Sequence, residues 1–120
     1  MIKATILLLS LIITCIAVAH DDHPGKPLTI TGIVVDTGCY MSHDSKGEGH
    51  AKCAAACAKA GVPLAILDDH GTLYLPVAVE HKDQNAKLTP FIEKRVKVTG
   101  TELQKGGLKG IAIKTVEAAQ

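Results

Sequence analysis

Arg95 to Val116 reads RVKVTGTELQKGGLKGIAIKTV, and this stretch decides the fold class. Arg95-Val96-Lys97-Val98-Thr99-Gly100-Thr101 alternates apolar and polar side chains, the period of a strand with one wet face. Lys105-Gly106-Gly107 supplies a turn, and Leu108 to Val116 resumes the same alternation. Upstream, Leu28 to Asp36, LTITGIVVD, is rich in β-branched residues and reads as another strand. Thr37-Gly38 ends it, with Cys39 and Tyr40 at its mouth, and Met41 to Gly49 reads as a polar loop.

Between these β segments lies His50 to Ala60, HAKCAAACAKA, in which no residue resists a helix. Gly61 suits the position just past its end, and Pro63 prevents its continuation. Pro63 to Leu67 and Thr72 to Val79 read as short strands joined at Asp68-Asp69-His70-Gly71, and Glu80 to Pro90 reads as a polar connection. Five strands and one helix predict a mainly β domain, a small OB-like five-stranded barrel with the helix inserted after the first strand. A twisted open sheet with the helix packed on it is the alternative.

The N-terminus, MIKATILLLSLIITCIAVAH, has one lysine, an apolar run from Ala4 to Val18 and an Ala17-Val18-Ala19 site. Those are the parts of a secretory signal peptide, and the run is shorter than the roughly 20 residues of a membrane span. Cleavage after Ala19 is expected, with lipidation of Cys15 as the alternative. Residues 1–19 are therefore assigned to a signal peptide, 20–27 to a loose polar lead-in, and 28–120 to one domain. The expected destination is the periplasm or the medium, with no membrane span once the signal is removed.

The chain has 13 Lys+Arg against 12 Asp+Glu, and this balance lacks the basic footprint of a nucleic-acid binder. Single-strand binders of the OB class also stack bases on aromatics, and here there are one Phe, two Tyr and no Trp. No G-x-S-x-G, H-E-x-x-H or phosphate loop is present, so an enzyme is the minority reading.

Cleavage would leave Cys39, Cys53 and Cys57, an odd number of thiols in an oxidising compartment. His50, Cys53 and Cys57 stand at i, i+3 and i+7, one stripe of a helix, while Lys52 and Lys59 lie on another, wet face. Cys39 at the end of the first strand is the third sulfur to meet them, with His43 four residues on. Three readings stay open. The cysteines are small core residues of an alanine helix, or one disulfide joins Cys39 to Cys53 or Cys57. In the third, Cys39, Cys53, Cys57 and one histidine, His50 or His43, hold a transition metal, copper or zinc, with iron a further candidate. Only the metal site uses all three sulfurs.

Asp36, Asp44 and Glu48 read as solvated or capping residues, and His70 and His81 as solvated. His20, exposed as a new N-terminus, would chelate Cu(II) through its free amine and ring, with His23 or another histidine completing the site, against the plain reading of a loose terminus.

With these residues in view, the chain resembles a family of small exported bacterial proteins. The family pattern is TGxVVDxxCYxxH, then GxxHxxCAxxCAxxGxP, then PFxxKRVxVTG followed by GGLxxIxI. Here these are Thr31 to His43, Gly47 to Pro63 and Pro90 to Ile113. The resemblance implies that Cys39, His43, His50, Cys53 and Cys57 form one unit and that the C-terminal strands are OB-like. Three functions follow from the residues: an exported carrier or homeostasis protein for copper or zinc, with a periplasmic protein as a further partner; a thiol-redox protein using Cys53 or Cys57 near the helix start; or a disulfide-stapled binding module whose barrel face grips a peptide or oligosaccharide.

Overall fold

The structure is a computed structural model that describes residues 25–120. The expected signal segment, Cys15, His20 and His23 lie outside the described residues. Strands β1 (Lys26–Asp36), β2 (Leu64–Asp68), β3 (Leu73–Pro76), β4 (Arg95–Lys105) and β5 (Leu108–Ala118) close into a barrel in the order β1-β2-β3-β5-β4. It is an OB-like barrel.

Closure rests on β1, which serves two partners. Its first part, Lys26 to Ile33, runs antiparallel to β4, and Gly32 to Asp36 runs antiparallel to β2. The two ladders overlap at Gly32 and Ile33, so the strand must turn a corner there. At Gly32 a Cβ would collide with the carbonyl of Leu67 across the ladder. Glycine is needed for that close backbone approach. A Gly32→Ala variant is expected to lose about 2 kcal/mol from this overpacking. That is a fall of roughly 10 °C in melting temperature for a domain of this size, and an unchanged thermal midpoint would show that the ladder opens there without cost.

The β4–β5 hairpin turns at Gly106-Gly107, and a bulge between Thr99 and Gly100 bends it. The barrel closes where β3 meets β5 in parallel, Leu75 to Gly110 and Pro76 to Ile111. Inward positions of all five strands fill the centre. Ile30, Val34, Leu64, Ile66, Tyr74, Val96, Val98, Ile111 and Ile113 are buried together, and Leu88 joins them from the β3–β4 connection. That connection, read as merely polar, also carries a buried anchor. The Asn85 side chain accepts from the Leu64 N–H at 2.8 Å and donates to the Val62 carbonyl at 2.9 Å, fastening the loop to the start of β2.

Two features depart from the sequence reading. β1 begins at Lys26, inside the expected lead-in, because residues 26 and 27 pair with Glu102 and Thr101 of the long β4. The expected loop after β1 begins instead as a short helix, α1 (Thr37–His43), and α2 (Ala51–Lys59) follows a 3₁₀ turn at Glu48–His50. Gly38 and two β-branched or aromatic residues make α1 a poor helix by propensity. Its start is set by Asp36, whose carboxylate accepts the Cys39 N–H at 2.8 Å. Asp44, in the left-handed conformation, ends it and donates its N–H toward Cys39 and Tyr40 carbonyls. α2 behaves as expected, stopping before Gly61, whose φ of 96° is open to glycine at little cost.

Candidate metal centre

Asp36 is the hinge of the site. It is the last residue of β1, fully buried, and both carboxylate oxygens are used. Oδ1 accepts from the Cys39 N–H, and Oδ2 lies 2.8 Å from His50 Nε2. Asp36 is therefore a capping residue, as one of its two sequence readings had it, but it is not solvated. Burial by itself would push its pKa up. The Cys39 N–H, the His50 hydrogen bond and the His50 charge outweigh burial and hold it below the usual carboxylate range.

His50 closes the 3₁₀ turn and precedes α2, so the Asp36 contact docks the start of α2 against the end of β1. The loop before it is pinned from a second side. Gly47 donates its N–H to Glu93 Oε2 at 2.7 Å, and His50 donates its own N–H to the Gly47 carbonyl at 3.0 Å. Glu93 is itself unusual: 4% exposed, at φ 57°, with Oε1 buried and unpartnered. Burial pushes the Glu93 carboxyl above its ordinary value, and neighbouring Asp36 adds to this, while Gly47 and His50 oppose it. Sequence reasoning did not single out Glu93. A glutamate in a β-barrel connection carries no local signal, since its partner lies 46 residues earlier.

With β1, α1 and α2 held in this way, three sulfurs converge. Ligand atoms of Cys39, Cys53 and Cys57 all lie within 4.8 Å of one another. Cys53 and Cys57 stand one turn apart on α2, and Cys39 comes from the first turn of α1. The stripe does not face the barrel core: Ala54 is the buried residue of α2, whereas Cys53 is exposed and Cys57 half-buried. All three cysteines are free, with no disulfide among them. A bound ion with metal–sulfur bonds of about 2.3 Å sets its sulfurs roughly 4 Å apart, so small side-chain movements complete a site. Asp36, Cys39 and His50 form a second group within the same limit, sharing Cys39 with the first. These residues are close enough to hold a metal ion.

Among the described residues, the other histidines lie apart from both groups. His43 is exposed in the last turn of α1 and joins neither. His70 and His81 are exposed in turns, and Asp44 and Glu48 are exposed as expected. Tyr40 is half-buried beside the site and carries Lys46 Nζ 5.6 Å above its ring.

The Cys39 and Cys57 thiols are held protonated. Burial first, then hydrogen bonding with Cys53 and the negative charge of Asp36, push the Cys39 thiol up to about 12. Burial and the Asp36 charge also raise Cys57, against a lowering hydrogen bond from Cys39. An attacking thiolate needs a depressed pKa. Cys57 therefore does not match the redox reading, in which the helix start would activate it.

The class defined by fold and site is an OB-like barrel whose insertion between β1 and β2 carries three cysteines on two helices and a histidine in the 3₁₀ turn between them. No protein-family model matches the chain, and no curated protein or solved structure matches it at a significant level.

Proposed function

We propose that this protein is an exported metal-binding protein that carries or buffers copper or zinc through Cys39, Cys53 and Cys57. One observation carries the reading: three free thiols from two separate helices meet within 4.8 Å. Core packing would not require the sulfurs to meet, and one of them, Cys53, is exposed. Soft thiolates suit copper and zinc among the available ions. The signal-like N-terminus supports export, and an exported carrier would deliver its metal to, or receive it from, a periplasmic protein. Asp36 and His50 serve as the supporting layer that sets the position of Cys39, the usual job of groups behind a metal ligand.

The test is elemental analysis of protein purified from periplasm without chelator. About one equivalent of copper or zinc is expected, and Cys39→Ser should carry none. A metal-free protein that also fails to load when reduced and titrated would sink the reading.

A further inference from the structure

Copper and zinc differ in what they need beyond three sulfurs, and the surroundings of His50 bear on the difference. Structural zinc is almost always held by four protein ligands, so a closed zinc site built on these three thiolates would need His50 as its fourth. His50 is the histidine nearest to hand, yet it groups with Asp36 and Cys39 and not with the set formed by the three sulfurs. Its Nε2 is committed to Asp36 Oδ2 at 2.8 Å, and Asp36 is fully buried. Turning the ring toward the sulfurs would leave a buried carboxylate oxygen without its partner, a costly exchange. Loss of that contact would also loosen the residue that fixes the Cys39 N–H. His43, the other candidate nitrogen, is exposed and outside both groups.

Resting on the metal-binding reading, we infer that the cluster is a three-coordinate, all-sulfur site for monovalent copper, with His50 a positioning residue outside the coordination shell. Thiolates select Cu(I) among the soft ions, and Cu(I) is satisfied by three donors. Binding forms three copper–sulfur bonds and releases the thiol protons to solvent, with no change in oxidation state. Exposure of Cys53 keeps the resulting negative charge in contact with water. It also makes Cys53 the sulfur that an incoming thiol or thioether ligand of a partner displaces first, while Cys39 and Cys57 retain the ion from their half-buried positions.

The experiment loads reduced, metal-free protein anaerobically with a Cu(I) acetonitrile complex, and separately with Zn(II). X-ray absorption then reads the ligand shell, and competition with bicinchoninate reads the Cu(I) affinity. Wild type and His50→Ala should both show sulfur alone around copper, with affinity about 10- to 100-fold lower in the variant because a supporting partner is gone. His50→Gln, which keeps an N–H for Asp36, should recover most of that loss, and it stands in if His50→Ala does not fold. A nitrogen ligand present in wild type and missing from the His50 variants would overturn the assignment while leaving a metal site intact. So would a four-coordinate zinc site in a protein that does not retain Cu(I). Failure to bind either ion would remove the metal-binding reading itself.

Discussion

Asp36→Ala is expected to be the most damaging single substitution near the site, lowering stability of the metal-free protein by about 2–4 kcal/mol, the cost of a lost helix cap plus a buried hydrogen-bond partner left unmatched. The carboxylate is fully buried and serves two elements at once. Removing it leaves the Cys39 N–H at the start of α1 without its cap, worth about 1 kcal/mol in itself. It also strands His50, whose side chain is only 15% exposed. The melting temperature in reductant should fall by roughly 15 °C. Asp36→Asn keeps a good capping side chain and should fall by less, since only the charge is lost. If alanine melts within a few degrees of wild type, α1 and α2 are held by something other than this carboxylate.

Metal affinity should depend steeply on pH, in a direction set by the thiols. Cys39, pushed up to about 12, and Cys57, also raised, both hold protons at neutral pH. A metal must expel them, so binding weakens as pH falls and strengthens as it rises. Each displaced proton changes the apparent affinity by about tenfold per pH unit, and the two from Cys39 and Cys57 alone give about 100-fold. Between pH 6 and pH 8 the dissociation constant should therefore drop by roughly four orders of magnitude, measured by chelator competition corrected for the chelator's own protonation. A flat profile would mean that Cys39 and Cys57 are not ligands, or that they are already ionised in the free protein.

The pressure that Asp36 places on the neighbouring thiols links these two results. Its negative charge helps keep the Cys39 and Cys57 thiols protonated. The same carboxylate anchors the backbone of Cys39 and the ring of His50. A structural cap and an electrostatic neighbour are thus one residue. For that reason the stability and the metal affinity of Asp36 variants should be measured on the same preparations.

Much of the barrel was legible in the chain. The alternation of Arg95 to Thr101 and of Leu108 to Val116 matches β4 and β5, and Gly106-Gly107 turns between them. Ala51 to Lys59 is helical and stops before Gly61, as its alanines and that glycine require. These features depend on local period and backbone preference, which neighbours in sequence decide. The set of sulfurs was also legible, because i and i+4 on a helix share a face whatever the helix packs on.

Only the tertiary structure decided the rest. α1 has weak intrinsic propensity and forms because Asp36 caps it and Pro63, 26 residues away, receives both the Thr37 N–H and its hydroxyl. Burial of Asp36 depends on His50, 14 residues on, and the loop that brings His50 there depends on Glu93. Sequence spacing put His50 on the cysteine stripe as one of two candidate histidine ligands, and the fold sets its ring against the carboxylate at the end of β1, in one group with Asp36 and Cys39. A side chain's donor can be read from the chain, whereas its acceptor is chosen by whichever strands and helices the fold brings within hydrogen-bonding reach.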